Sequence, residues 1–371
     1  MMKDYIFIFG RDPELSALEL KSYLESRKIK HELVDYSKVA ALVKLPDIDF
    51  HSMIKDLGGI TKIARVFEEL DDERLFDIKG NKLNYGISVY DDTDIEDFRA
   101  ELKERFREEK IKANLKNPGH EDDFLGPSEV IKHKLIENGF EIVVYNGAYA
   151  RTIAAFNPYD YESRDKARPV QRPLQMVSIR LAKILINLSG AKPGMRLFDP
   201  FCGIGVVLQE AMLMGINSIG VDLDRDAVAA SIKNTDWTRN AFQCTATCKV
   251  VHGDSTRQLN VSADAVATEP FMGPLLRKIP MENEALKIAS QLKPMYDSLL
   301  KSLKHSVKGR IAIVTPRFRL YSGKRIGVDF EKLIQDNGYR KCEILPDIKF
   351  PITYLGQRAI IEREIWIIEK I

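Results

Sequence analysis

At 371 residues, 44% hydrophobic and 30% charged, the chain is long enough for two or three packed domains and too rich in apolar residues to be disordered. Its 56 basic and 54 acidic side chains leave a net charge of only +2, which excludes a protein coated in positive charge, so any nucleic-acid face has to be argued from where the cations lie. No apolar run approaches the ~20 residues that span a bilayer, Met1-Met2-Lys3-Asp4 carries no signal-peptide pattern, and four cysteines are too few for a disulfide framework; a cytoplasmic protein without a metal centre is expected.

Residues 1–72 read as a small α+β unit. Strands are expected at 5–9, 31–35, 39–45 and 60–70, and helices at 14–25 and 51–57, a ferredoxin-like β-α-β-β-α-β order. Residues 73–157 form a second unit. In it, Thr93-Asp94-Ile95-Glu96 fits a capping box, and Ile95, Phe98, Leu102 and Phe106 give the following helix an apolar stripe. Its other faces carry Lys103 and Arg107, with Lys116 beyond; a helix at 128–137 bears Lys132 and Lys134. Strands at 141–145 and 149–156 flank Asn146-Gly147, a strong hairpin signal. Residues 158–180 are polar and proline-spaced, a linker in which Arg164, Arg168 and Arg172 cluster with Tyr159 and Tyr161 as candidate phosphate contacts.

From 181 to 371 strand and helix patterns alternate, which predicts an α/β domain with a parallel sheet covered on both faces. The strands fall at 195–198, 218–221, 249–252, 265–267 and 310–314. The last two, 341–345 and 360–368, have no helix between them and form an antiparallel pair.

The chemistry gathers at the ends of these strands. Asp199-Pro200-Phe201-Cys202-Gly203-Ile204-Gly205 follows the first strand and opens a helix, with Asp222 at the end of the next strand, 19 residues after Gly203. That spacing suits a glycine loop that lets backbone approach a ligand and a carboxylate that grips ribose hydroxyls. The third glycine of a dinucleotide fingerprint is Leu208 here, and Asp199 would repel a pyrophosphate. S-adenosylmethionine, which carries a sulfonium and an amino group, fits better, with Asp254 and Ser255 after the third strand facing its adenine. After the fourth strand, Thr268-Glu269-Pro270-Phe271 offers acceptors for an exocyclic amine and a ring to stack on a base. Glu269 is expected either to hold that amine or to pair with the nearby Arg277 or Lys278.

In these residues the chain resembles the THUMP-domain tRNA guanine-N2 methyltransferases, which methylate guanosine at tRNA position 10. The likeness is carried by Tyr161-Glu162-Ser163-Arg164-Asp165, Ala167-Arg168-Pro169, Met176, Arg180-Leu181-Ala182 and Asp199-Pro200-Phe201-Cys202-Gly203, by Phe9-Gly10-Arg11 with residues 15–20, and by Asn114-Leu115-Lys116-Asn117-Pro118. The resemblance implies a ferredoxin-like domain, a THUMP domain that binds the tRNA acceptor end, and a Rossmann-like catalytic domain that methylates guanine N2. The family's catalytic motif reads Asp-Pro-Pro-Tyr-Gly; the residues aligned with it are Thr268, Glu269, Pro270, Phe271 and Met272, so threonine stands at the acid's place. Beside this reading stand methylation of a cytosine N4 or adenine N6 amine in RNA or DNA, which the same geometry serves, and a tRNA-binding protein without catalysis. The family's eukaryotic members work with a small zinc-binding activator protein, for which this sequence gives no sign.

Overall fold

The computed structural model describes residues 2–68, 81–119, 123–172, 177–257, 260–354 and 360–371. They form two units, one of residues 1–17 and 28–166, the other of 18–27 and 167–371.

The first unit begins with β1 (Met2–Phe9), α1 (Pro13–Ser26), β2 (Glu32–Tyr36), β3 (Ala40–Pro46), α2 (Phe50–Asp56) and β4 (Ile60–Val66), the ferredoxin-like order expected. Then come β5 (Lys82–Val89), α3 (Glu96–Glu108), β6 (Lys112–Leu115), α4 (Pro127–Lys132), β7 (Gly139–Tyr145) and β8 (Ala148–Ala155). The two units expected at 1–72 and 73–157 share one eight-stranded sheet, ordered β2-β3-β1-β4-β8-β7-β5-β6. The reason lies at β4, which ends a ferredoxin-like sheet with unpaired backbone groups. Here it pairs antiparallel with β8, from Lys62↔Ala155 to Val66↔Ala150.

The Asn146-Gly147 turn forms with both residues at positive φ, 52° and 70°, the backbone a two-residue hairpin requires. The capping box does not form. Asp94 Oδ1 accepts the Glu96 N–H at 3.0 Å, and the helix begins at Glu96. The basic helix expected at 128–137 is shorter, because Lys134 turns into the left-handed region at φ 52°.

Within this sheet Glu141 is fully buried. It accepts from the buried Lys62 ammonium, from Ser88 Oγ at 2.6 Å and from Thr152 Oγ1 at 2.5 Å, so β4, β5, β7 and β8 meet at one carboxylate. Lys62 also donates to the Leu125 carbonyl at 2.8 Å.

Pro158–Ala167, expected to be linker, is helix α5, and all but its last residue belong to the first unit. The second unit continues with α6 (Ile179–Leu188), β9 (Arg196–Asp199), α7 (Val206–Leu213), β10 (Asn217–Asp222), α8 (Arg225–Phe242), β11 (Cys248–His252), β12 (Ala265–Thr268) and α9 (Glu282–Ser306). It ends with β13 (Ile311–Arg319), β14 (Arg325–Gly327), α10 (Phe330–Asp336), β15 (Tyr339–Lys341), β16 (Ile352–Tyr354) and β17 (Ile361–Lys370). The sheet order is β11-β10-β9-β12-β13-β17-β15. The first five strands are parallel, and β17 runs antiparallel to both β13 and β15; the antiparallel partner expected at 341–345 lies instead at Tyr339–Lys341. Phe198, Tyr296, Leu299, Leu300, Leu303, Phe330 and Trp366 belong to the core packed on this sheet. Residues 18–27 of α1 pack in the same unit: Ser22 Oγ donates to the Asn187 carbonyl at 2.6 Å, and Asn187 Nδ2 donates to Glu19 at 2.7 Å. No helix among the described residues is long and apolar enough to cross a membrane.

Candidate functional site

The sheet of the second unit reverses its winding between β9 and β12, and ligands of open α/β sheets bind beyond the carboxyl ends of the strands at such a point. Both ends carry the residues singled out by the sequence. Asp199 closes β9 and Thr268 closes β12, and Thr268 Oγ1 donates to Asp199 Oδ1 at 2.7 Å.

Asp199 is only 2% exposed. Its Oδ1 also accepts the Phe201 N–H at 3.2 Å, while Oδ2 takes no hydrogen bond among the described residues. No cation pairs with it among them. Burial, only partly offset by the Thr268 and Phe201 bonds and reinforced by Asp222 and Glu269, pushes its carboxyl up to about 7. Oδ2 thus keeps free acceptor capacity on an otherwise buried carboxyl.

Beyond it the loop is built by backbone. The Cys202 N–H donates to the Val221 carbonyl at 3.0 Å. Gly205, the N-cap of α7, has φ 86°, and a Cβ there would lie 2.5 Å from Ser231 Oγ, so no other residue fits. Gly203 also has positive φ, yet a Cβ on it would meet nothing within 4 Å; this is the open side of the loop. The Cys202 side chain is buried and burial pushes its thiol far up, so Cys202 contributes packing and its amide.

Asp222 departs from the simple expectation of a free ribose carboxylate. Its Oδ2 accepts the Gly203 N–H at 2.8 Å and its Oδ1 accepts Asp224 N–H at 2.9 Å, so it shapes the loop as well as facing it. Ser255 is buried and donates its hydroxyl to the Pro200 carbonyl at 2.6 Å, which ties it to the loop. Asp254 stays partly exposed. Bonds from the Thr256 hydroxyl and amide hold its carboxyl below the usual range, so it remains an ionised acceptor.

The second motif is corrected in two ways. Thr268 is fully buried and donates its hydroxyl to Asp199, so it is a tie between strands and not a substrate acceptor. Gly273 has φ 100°, and a Cβ there would lie 3.0 Å from Ile288, so this turn requires glycine. The run Glu269-Pro270-Phe271-Met272-Gly273, one residue beyond the Thr268–Met272 stretch, thus begins on an acid and ends on a glycine that its backbone requires. Glu269 pairs with Arg363 of β17, Nε to Oε1 at 2.7 Å, and not with Arg277 or Lys278; Oε2 accepts nothing among the described residues. Phe271 is exposed beside it.

Sequence reasoning missed how residues 168–172 are held. Arg168, taken for a phosphate contact, is 5% exposed and its Nε donates to Gln209 Oε1 at 3.3 Å; Gln209 Nε2 donates to the Gly205 carbonyl at 2.9 Å. Asn234 of α8 accepts the Val170 N–H and donates to the carbonyls of Val170 and Ile204, at 2.9, 3.0 and 2.9 Å. Arg172 pairs with Asp224 at 2.9 Å. Arg168 is thus turned inward against α7, and Arg172 is held, partly exposed, at the turn after β10. The one signal for this lay in α7, where Gln209 and Glu210 interrupt an apolar helix, and both are buried.

In the first unit Lys103, Lys132 and Lys134 are exposed, Lys116 is half-buried, and Arg107 pairs with Glu104 at 2.9 Å. The Arg164 guanidinium lies 5.0 Å from the centre of the Tyr161 ring.

Residues 166–344 match the UPF0020 family, an RMKL-like methyltransferase domain. The chain is 27% identical over 285 residues to the tRNA (guanine(10)-N2)-dimethyltransferase of Methanothermobacter thermautotrophicus, covering 73% of this chain and 78% of that one. It is 25% identical over 334 residues to the enzyme of the same name from Pyrococcus abyssi, covering 84% and 88%. A crystal structure of TrmN from Thermus thermophilus aligns over 99% of this chain and 100% of that one, at 14% identity and a TM-score of 0.49.

Proposed function

We infer that this chain, a member of the tRNA guanine-N2 methyltransferase family, methylates the exocyclic N2 amine of a guanine in tRNA with S-adenosylmethionine as donor. The observation that carries the reading is the pair of strand ends at the switch point: an incompletely partnered buried Asp199 on one, bonded through Thr268 to the strand that presents Glu269 on the other. The relatives' names supply the substrate.

The residues present fit the cofactor. Asp199 Oδ2 is an acceptor for a cationic amino group, Gly203 leaves room for close approach, and Asp222 and Asp254 are acceptors for ribose hydroxyls and an adenine amine. When bound there, S-adenosylmethionine supplies an electrophilic methyl on its sulfonium. The chain's own task is then to present a nitrogen lone pair. Glu269, oriented by Arg363 through Oε1, has Oε2 to accept one N–H of the amine, and Phe271 offers a face to the base. Holding that N–H while the base stacks restricts where the lone pair points, which is an orientation effect. In the first unit, Lys103, Lys116, Lys132 and Lys134 are the residues we propose to draw in tRNA phosphates, with Arg164 beside Tyr161; capture by such contacts weakens with salt.

Nucleoside mass spectrometry of tRNA incubated with the full chain and cofactor tests the reading. N2-methylated guanosine is expected, with turnover lowered about 10²-fold or more in Glu269→Gln, as when one preorganised hydrogen-bonding group is lost. Methyl on cytosine or adenine, or on no nucleoside, overturns it.

A further inference from the structure

Strand β13 is much longer than its parallel neighbour. Thr268, the last residue of β12, is level with Ile313, and β13 runs on to Arg319. Six further residues at ~3.3 Å each carry it about 20 Å past the strand end that presents Glu269. There it folds back with β14 as a hairpin, Arg317↔Gly327 to Arg319↔Arg325. Its turn is closed by Leu320 N–H to the Lys324 carbonyl at 2.9 Å and Gly323 N–H to the Leu320 carbonyl at 3.0 Å.

This hairpin is anchored beside the substrate motif. Lys324 pairs with Glu282 at the start of α9. A Cβ on Gly273, at the end of the motif turn, would lie 3.5 Å from the Phe318 ring. At the tip Tyr321 is 79% exposed, and at the motif Phe271 is 56% exposed, two aromatic rings facing solvent in the same region. Exposed rings offer flat faces on which a base can stack.

The charge around them is one-sided. Arg277, Lys278 and Arg319 are exposed and make no ion pair among the described residues. Three neighbouring carboxylates are paired, Glu282 with Lys324, Glu362 with Arg325 and Glu269 with Arg363, and exposed Glu284 caps the Met281 N–H and keeps its charge. The surface therefore combines stacking faces with uncompensated cations, the two features by which proteins hold unpaired nucleotides.

We propose that the β13–β14 hairpin is an RNA-gripping lip of the catalytic unit: Tyr321 stacks on an unpaired base beside the target, and Arg277, Lys278 and Arg319 take the flanking phosphates. The proposal rests on the functional reading above for the identity of the RNA. It also answers a need of that reading, because the N2 amine of a guanine lies on its pairing edge and has to be splayed out of a helix to reach Glu269.

The experiment uses the full chain. Fluorescence anisotropy measures tRNA affinity for wild type, Tyr321→Ala, Tyr321→Phe and the triple variant Arg277→Gln/Lys278→Gln/Arg319→Gln at several salt concentrations, with cofactor affinity by calorimetry. Tyr321→Ala is expected to weaken tRNA binding about 5- to 100-fold, the loss of one stacked base. Tyr321→Phe keeps the ring and stays within about 2-fold of wild type on the same ground. The triple variant flattens the salt dependence by two to three phosphate contacts, that is, by about 2–3 in the slope. Cofactor affinity is unchanged in all three. Wild-type tRNA affinity in Tyr321→Ala overturns the proposal, as does a Tyr321→Phe as weak as the alanine, or a parallel loss of cofactor binding. A wild-type chain that binds tRNA without methylating it overturns the functional reading alone, since anisotropy reads the lip independently of turnover.

Discussion

Two carboxylates in this protein are shut away from water to the same degree and are used in opposite ways. Glu141 in the first unit is 0% exposed and Asp199 in the second is 2% exposed. Glu141 is closed on all sides by the Lys62 ammonium and the hydroxyls of Ser88 and Thr152. Burial draws the Lys62 ammonium down while the carboxylate opposes it, the mark of a pair whose partners depend on each other. Asp199 has a hydroxyl and an amide on one oxygen, no cation among the described residues, and two further carboxylates, Asp222 and Glu269, near enough to raise its proton affinity. A complete cage is architecture, because nothing remains for it to bind. An incomplete one keeps acceptor capacity, which we propose a cationic ligand uses.

The comparison breaks first at Glu141. Glu141→Ala leaves Lys62 buried without its partner and is expected to destabilise the protein by about 3–5 kcal/mol in denaturant unfolding, with cofactor affinity in the surviving native state unchanged. Lys62→Met/Glu141→Leu removes both charges and is expected to recover most of that loss. If Glu141→Ala costs under about 1 kcal/mol, the buried pair does not hold the sheet together.

Asp199→Asn is expected to do the reverse. It keeps an acceptor for Thr268 and Phe201 but cannot ionise, so cofactor affinity falls by about 1.5–3 kcal/mol. Stability of the cofactor-free protein moves the other way. Asp199 has a folded pKa of about 7, above its ordinary 3.8. Its contribution is therefore fully present below pH ~4 and lost as pH rises to ~7, where the unfolded chain gives up the proton more readily. At pH 8 Asp199→Asn, which never has to ionise, is expected to melt a few degrees above wild type, and near pH 4 the two are expected to coincide. A lower melting point for the variant at pH 8 contradicts the open-cage description.

The smallest effect sharpens the picture of the loop. Asn234→Ala removes the clamp on Val170 and Ile204, and is expected to weaken cofactor binding about 3- to 10-fold through misplacement of the glycine loop, consistent with the ~1 kcal/mol of an ordinary hydrogen bond. Unchanged affinity by calorimetry would make residues 168–172 mere covering.

How much of this was legible in the sequence depends on how local each feature is. The Asp199–Gly205 loop and Asp222 were readable because strand, loop and helix follow one another, and the antiparallel end of the sheet followed from the missing helix before β17. The joining of the first eight strands was not, since β4 meets β8 across nearly the whole second half of that unit. Glu269 was expected to find a neighbour in sequence; its partner Arg363 is 94 residues away, on the strand that enters the sheet last. Sequence shows that Arg168 is charged but not which way it points, and it points inward. The turn that ends at Gly273 has a φ of 100° there, which composition does not reveal.

The most direct test of the central claim is calorimetric titration of S-adenosylmethionine into wild type and Asp199→Asn between pH 5.5 and 8. If the open carboxylate holds the cofactor's cationic end, ionised Asp199 is the binding form. Wild-type affinity then rises up to about tenfold per pH unit below the pKa of about 7 and levels off above it, while the variant binds weakly with no such rise. A wild type whose affinity is flat across this range, or a variant that binds as tightly as wild type at pH 8, would contradict the account.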